Sequence, residues 1–343
     1  MKQTITYLFL ILLVIVLCQC KAKQVTYDSP PAHTVPLTND FQTLLLDSMQ
    51  AAEAIATDNV DDFFERVTLT EVSIQMKDPA LCKEREGCID AYKAFLRTDV
   101  ASFTAEEVDK VSSVFSSLNE LIKKVNPHLI DRDILLIKTK GNHYGNGVFY
   151  TRENKIIIPQ DMLTNFMRES FLETMLHEFF HIFSRYNVET RNELYALIGF
   201  KPVDGQINLG ATGSRKLLNP DGTTDYFIEL EEGPAYPMIT ASDDQYIRSK
   251  PTFFNYLEFN LYQLEEKTDG NYELGEVVPL QTANSFFQQI KDNTNYIIHP
   301  DEIMADNFIY TIFYLAENEK IKDFTAEGME LINEMGEVLK SHR

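Results

Sequence analysis

The spacing of apolar residues along this chain changes several times, and each change predicts a different element. Where they recur every three to four positions, they predict helices with one or more buried faces. Thr104 followed by Glu107 adds a capping-box pattern that starts one of these helices, and Asn126-Pro127 ends it. The helices predicted in this way cover about 41–67, 104–125, 165–186, 301–317 and 326–341.

Short runs of apolar and β-branched residues predict strands between these helices. One run covers 134–138, and two more at 148–150 and 155–158 are separated by a polar turn that predicts a hairpin. The region 200–295 contains Gly and Pro punctuation, with further strands predicted at 226–230 and 253–261. The pattern therefore predicts an α+β fold: a small sheet packed on the helix at 165–186, an inserted β-containing segment, and a C-terminal helical part.

The N-terminus has the pattern of an exported protein. Lys2 precedes an uncharged run over 8–17, which is too short to cross a bilayer as a helix and is typical of a secretory signal. The ending Leu17-Cys18-Gln19-Cys20 resembles the lipobox of bacterial lipoproteins, in which a cysteine becomes lipidated. We therefore predict a signal peptide over 1–19, a lipid anchor at Cys20, a tether over 20–40 and one domain over 41–343. The alternative is an ordinary cleaved signal with an incidental cysteine pair.

The net charge excludes one class of partner, and the two remaining cysteines predict a disulfide bond. The chain has 52 acidic and 31 basic residues and a net charge of -21, so a polyanion such as nucleic acid would be repelled. Cys82 and Cys88 are separated by a polar stretch that includes Gly87. In an oxidising compartment, this spacing predicts a small disulfide loop between the two cysteines.

The main chemical signal is an HExxH motif over 177–181. At helical spacing His177 and His181 lie one turn apart on the same face, so both imidazoles can ligate one metal ion. Glu178 lies about 100° around the helix, from where its carboxylate can reach a water on that metal. Apolar residues surround the motif and predict a buried helix, in which a metal would compensate the polar groups. A surface helix with incidental histidines is the alternative, and the apolar setting argues against it.

These residues resemble the zincin metallopeptidases, in which an edge strand similar to 155–158 precedes the motif helix. The metzincin subfamily has a further histidine at a position that is Asn187 here. The gluzincin, thermolysin-like pattern Glu-x-x-x-Asp is matched by Glu302 and Asp306. By this resemblance, Glu302 would be the third zinc ligand, and Asp306 would orient one of the two ligand histidines.

Glu193 is a rival third ligand, because it lies only 12 residues after His181 and needs no long insertion. However, position 197 is Leu, where the pattern expects a second carboxylate. Choosing Glu302 requires the inserted segment to return the chain to the site. Loop-closure entropy permits this, since doubling a loop costs only about 0.6 kcal/mol.

The sequence therefore predicts a zincin-like enzyme that hydrolyses peptide bonds with one Zn²⁺ per chain. Its substrate would be a peptide or protein, and its place the bacterial cell envelope, on the periplasmic or surface side. Further candidates to stabilise the oxyanion are His299, Tyr226 and Tyr236. Two other hypotheses stay open: a zincin-like lipoprotein that binds a partner or solute without turnover, and a solute-binding lipoprotein in which the motif is accidental.

Overall fold

Two β-sheets, formed by different parts of the chain, organise the fold. The computed structural model describes residues 33–80, 84–222, 224–267 and 270–343. The predicted signal peptide, the Cys20 anchor and the first part of the tether lie outside these residues. Within the described ranges, every helix is too short or too polar to pass through a lipid bilayer.

The first sheet contains both parallel and antiparallel pairs. Its strands are β1 (His33–Pro36), β2 (Gln42–Leu45), β3 (Val100–Ala101), β4 (Ile134–Thr139), β5 (Tyr150–Arg152) and β6 (Lys155–Pro159). They follow the order β1-β2-β4-β6-β5, and β3 pairs with β4. Strands β5 and β6 form the predicted antiparallel hairpin, whose turn includes Glu153 at a φ of 53°. Its first strand covers 150–152 and not the predicted 148–150. Strand β5 is the edge strand and β6 lies inside the sheet, so the expectation of an edge strand at 155–158 was wrong.

The start of the domain differs from the prediction. The tether was expected to extend to residue 40 and a helix to begin at 41, but β1 and β2 pair antiparallel instead. Val35, Leu37 and Leu45 are buried, so this segment contributes to the core. The apolar residues over 41–67 belong to strand β2 and to two short helices, α1 (Ser48–Ile55) and α2 (Phe63–Arg66). Their combined spacing imitates one long helix.

The predicted helix after Thr104 is present as α5, which follows α3 (Leu69–Met76) and α4 (Arg85–Thr98) and covers Ala105–Val125. Both halves of the capping box form, because Thr104 accepts from the Glu107 amide and Glu107 accepts from the Thr104 amide. Lys138 of β4 also donates to Glu107 at 2.7 Å, so one carboxylate caps the helix and joins it to the sheet.

Cys88 lies in α4, where it is buried and disulfide-bonded. Its predicted partner Cys82 lies outside the described residues, so the pairing itself stays a prediction. Such a bridge would link the start of α4 to the chain that precedes it.

The motif helix lies at the centre of the fold. The remaining helices are α6 (Gln160–Thr164), α7 (Arg168–Tyr186), α8 (Val188–Ala196), α9 (Asn284–Ile290), α10 (Pro300–Glu317) and α11 (Ala326–Ser341). Helix α7 packs against α5, α10 and strands β5 and β6. Phe179 and Phe180 of α7 contact Phe308 of α10, and all three rings are buried. Aromatic packing thus holds α7 and α10 side by side.

The second sheet is formed between α8 and α10. Its strands are β7 (Phe200–Pro202), β8 (Ile207–Asn208), β9 (Tyr226–Leu230), β10 (Gly233–Ala241), β11 (Leu257–Glu266) and β12 (Tyr272–Val278). They follow the order β7-β9-β10-β11-β12-β8. The predicted inserted segment is therefore a sheet of its own. A 3₁₀ turn over Phe253–Tyr256 precedes β11, which corrects the predicted start of that strand.

Candidate metal centre

Helix α7 supplies two imidazoles to one buried site. His177 and His181 lie one turn apart, and their ring centroids are 4.6 Å from each other. His181 is fully buried, and the side chain of His177 is only 13% exposed. Apolar residues cover most of the helix, so these polar rings are removed from water by the same packing that places α7 in the core.

Helix α10 brings a carboxylate to both rings. Oε2 of Glu302 lies 3.1 Å from Nε2 of His177 and 3.6 Å from Nε2 of His181. The helix starts at Pro300, and His299 caps it by accepting the amide of Asp301. This local geometry fixes the first turn of α10, where Glu302 lies 1% exposed.

The other nitrogen of each ring also faces a carboxylate. Nδ1 of His177 lies 3.1 Å from Oδ1 of Asp306, and Nδ1 of His181 lies 2.7 Å from Oδ2 of Asp301. An ionised carboxylate only accepts, so each Nδ1 donates and each Nε2 is left to face Glu302. An imidazole nitrogen and a carboxylate oxygen attract each other at this distance when a proton or a cation lies between them.

These outer carboxylates are themselves held by neighbours. Ser184 donates to Asp301 at 2.8 Å, and the hydroxyl of Tyr195 also donates to it. Thr294 donates to Asp306. Asn219, from the inserted segment, donates to Oε1 of Glu302 at 2.6 Å. With Oε1 engaged, Glu302 presents a single oxygen to the two imidazoles.

Two further carboxylates lie near His181. Ligand atoms of Glu178, His181 and Asp221 all lie within 4.8 Å of one another. Among the described residues, Oε2 of Glu178 and Nε2 of His181 are buried without a hydrogen-bond partner. Buried polar atoms are rarely unsatisfied, so these two indicate a group that the protein's own atoms do not supply.

The site is strongly acidic. Burial, together with the nearby Asp221 carboxylate, raises the pKa of Glu178. Burial lowers the pKa of His181, but the charges of Asp221, Glu302 and Asp301 outweigh this effect and raise it to about 9. Carboxylates thus outnumber the cations that could balance them, and a divalent cation would relieve the imbalance.

The donor set fits zinc. His177, His181 and Glu302 offer ligand atoms that all lie within 4.8 Å of one another, and two imidazoles with one carboxylate are a typical catalytic zinc set. The carboxylates on both Nδ1 atoms match the outer partners that orient metal-bound histidines.

The two candidate third ligands, Glu193 and Glu302, lie in different environments. Glu193 is exposed on α8, whereas Glu302 lies beside both imidazoles, and Asp306 contacts His177. Sequence reasoning missed Asp301, although it adjoins Glu302 in an acidic helix start. It also missed Asn219 and Asp221, for which no local signal exists because they approach the site only through the fold of the inserted segment.

The three expected oxyanion donors have other partners. Tyr226 bonds to Arg191 and Asn192, and Tyr236 donates to Asp225 at 2.6 Å. Nδ1 of His299 accepts the amide of Asp301. Tyr296 instead lies beside a proposed ligand, and its ring stacks on His177 with centroids 6.1 Å apart. The only sequence signal for Tyr296 was its position six residues before Glu302, and the chain contains 16 tyrosines.

Residues 217–222, here called the 217–222 segment, approach the site from the second sheet and are held at several points. The amide of Leu218 donates to Oε2 of Glu71 at 2.8 Å. Arg185 of α7 donates to the carbonyl oxygens of Pro220 and Asp221, each at 3.0 Å. The segment is therefore fastened both to α3 and to the motif helix.

Glu71 makes the stability of this arrangement depend on pH. Burial raises the pKa of Glu71 from its ordinary value of 4.5 to about 7. The folded chain therefore binds this proton more tightly than the unfolded chain, and the resulting stability is lost as pH rises from 4.5 to about 7. We expect the stability advantage of the native chain over Glu71→Gln to fall across this window, by up to about 1.4 kcal/mol per pH unit. Urea unfolding of both proteins at several pH values measures it, and a constant or growing advantage would contradict it.

Comparisons with known proteins identify no relative of this chain. No family model, no curated protein and no solved structure matches it. The chemistry of the site is therefore inferred from the residues that meet there: two imidazoles, the carboxylate of Glu302, and the outer carboxylates of Asp301 and Asp306.

Proposed function

We propose that this chain is a zinc-dependent hydrolase of peptide bonds, a zincin with a gluzincin-like third ligand. One observation carries the proposal. Nε2 of His177 and Nε2 of His181 both face Oε2 of Glu302, while a carboxylate holds each Nδ1. This arrangement orients three ligand atoms towards one point and leaves Glu178 beside it.

Each residue of the site would have a different role in peptide hydrolysis. A bound zinc ion lowers the pKa of water and polarises a carbonyl group. Glu178 lies next to His181 with its Oε2 unpaired, so it can take the proton of the attacking water and deliver it to the leaving amine. Asp301 and Asp306 keep the imidazoles in the tautomer that presents Nε2.

Tyr296 is the donor best placed to stabilise an oxyanion. Its ring stacks on His177, and its side chain is partly open to solvent. The charge of Glu302 and burial both raise the pKa of Tyr296, so the phenol keeps its proton and can donate it in a hydrogen bond.

The edge strand of the first sheet favours a peptide as the substrate. Strand β5 is the edge strand and packs against α7. The amide of Thr151 in β5 bonds to a side chain outside the sheet, so it points away from β6. An extended peptide can pair with such an edge through main-chain hydrogen bonds, which would place its carbonyl groups along the motif helix.

The direct test measures zinc and peptide cleavage in the purified chain. We expect one zinc per chain, and cleavage within a broad peptide library that stops when a chelator removes the metal. A chain that purifies without zinc and takes none up would contradict the proposal.

We further propose that the enzyme is anchored to a bacterial membrane through Cys20. Cells fed a fatty-acid probe should label the native chain, and Cys20→Ser should abolish the label because the thiol is the acceptor. Cys18→Ser is the matched control and should keep the label. Labelling that depends on Cys18 would move the anchor, and a chain that never labels would contradict lipidation.

A further inference from the structure

The 217–222 segment bonds to two different elements that border the site. On one side, Asp221 accepts hydrogen bonds from the amide and, at 2.7 Å, from the hydroxyl of Thr151 in edge strand β5. On the other side, Asn219 donates to Glu302 at the start of α10. The segment therefore joins the two walls of the site.

Asp221 occupies the positions that a substrate needs. The Thr151 amide that it engages is the edge-strand donor available to a substrate strand. Both hydrogen bonds from Thr151 end on Oδ1, so the other oxygen of the carboxylate is not committed to them. A ligand atom of Asp221 lies within 4.8 Å of those of His181 and Glu178.

Gly222 allows the segment to pack this closely. A Cβ at this position would lie 2.4 Å from Cε1 of His299 and 3.1 Å from Cβ of Asp301. The backbone of Gly222 is not in the left-handed region, so close approach, rather than its φ angle, requires glycine here.

The result is a closed site. Glu178 is 4% exposed, and Glu302 and His181 are 1% and 0% exposed. A peptide carbonyl could not approach Glu178 without moving a neighbouring group. Asp221 is a neighbour that both bonds to the edge strand and lies near His181 of the motif helix.

We propose that the 217–222 segment is an internal plug, in which Asp221 acts as a further metal ligand beside His181 and blocks the edge strand. The proposal rests on the zinc function above. The structure then shows the closed form of the site, and the native chain would cleave a peptide only while the plug has left it. If Asp221 served only to anchor the loop, its charge would not matter, because an amide oxygen could accept the same bonds from Thr151.

Two variants separate these roles. Asp221→Asn keeps an acceptor for Thr151 and removes the anionic ligand. Gly222→Ala leaves every polar group in place and displaces the segment by steric conflict. Gly87→Ala is the matched control, because a Cβ there meets no heavy atom within 4 Å.

The measurements are made on full-length protein loaded with zinc or Co²⁺. Competition with a chelator gives the zinc affinity, and the visible spectrum of the Co²⁺ form reports its coordination. We expect Asp221→Asn to weaken zinc binding at least about tenfold, the lower end of what loss of an outer-shell partner causes, and to change the Co²⁺ spectrum. At saturating zinc, both variants should bind a peptide hydroxamate at least about tenfold faster than the native chain, while Gly87→Ala should match the native chain.

The outcomes distinguish the two proposals. Native-like zinc affinity, Co²⁺ spectrum and hydroxamate binding in Asp221→Asn would overturn the plug and leave the zinc function standing. A native chain that binds no zinc would overturn both. If Gly222→Ala fails to fold, as shown by its thermal transition, Asp221→Asn alone decides, because it preserves the contacts of the loop.

Discussion

Glu178→Gln is expected to remove peptide hydrolysis and to leave about one zinc per chain. Glutamine has nearly the same shape but cannot accept the proton of the attacking water at neutral pH. Loss of a general base typically lowers the rate by about 10² to 10⁴. The proposed ligand atoms are Nε2 of His177, Nε2 of His181 and Oε2 of Glu302, so the substitution removes none of these three and the metal should stay. Activity on a cleaved library peptide and the zinc content of the same sample measure the two effects.

Glu173→Gln is the matched control, since Glu173 lies on the same helix and is half-buried. It should keep both the rate and the metal. A Glu178→Gln protein that retains most of its activity would show that another group takes the proton, and the mechanism proposed here would then be wrong.

Glu302→Gln is expected to weaken zinc binding by more than about 100-fold, which exceeds the effect of losing an outer partner. The amide removes the negative charge that faces both imidazoles, while its oxygen can still accept from Asn219. The loss should also appear in stability, because a ligand present at 100 times its Kd stabilises the folded state by about 2.7 kcal/mol. Chelator competition and thermal unfolding with and without zinc measure it.

Glu193→Gln tests the rival ligand with the same substitution. Glu193 is exposed on α8, so we expect native zinc affinity and the native increase in unfolding temperature on adding zinc. Loss of zinc in Glu193→Gln, with native affinity in Glu302→Gln, would contradict the assignment of the third ligand.

Local patterns predicted the parts of the fold that are stabilised locally. The capping box at Thr104 and Glu107, the hairpin of β5 and β6, and helices α7 and α10 each carry their signal within a few turns of chain. The same kind of pattern predicted that His177 and His181 lie together, because residues four apart on a helix share a face.

What the sequence could not show depends on contacts between distant residues. The strand pair β1 and β2 was missed because apolar residues of several short elements add up to a helical period. Asp221 lies near His181 only because of the fold of the inserted segment, and Asn219 bonds to Glu302 across 83 positions. No spacing along the chain encodes such meetings, since tertiary packing decides them.

The hydrogen bond from Asn219 to Glu302 has a consequence for the second sheet. In the proposed zinc enzyme, this bond would couple the fold of the inserted segment to occupancy of the site. Such coupling is reciprocal, so the free energy that the segment adds to zinc binding would also stabilise the ordered segment. A substitution in the strands around 217–222, remote from both imidazoles, would then change zinc affinity without altering a ligand. The second sheet would in this way change the zinc affinity of a site to which it contributes no imidazole.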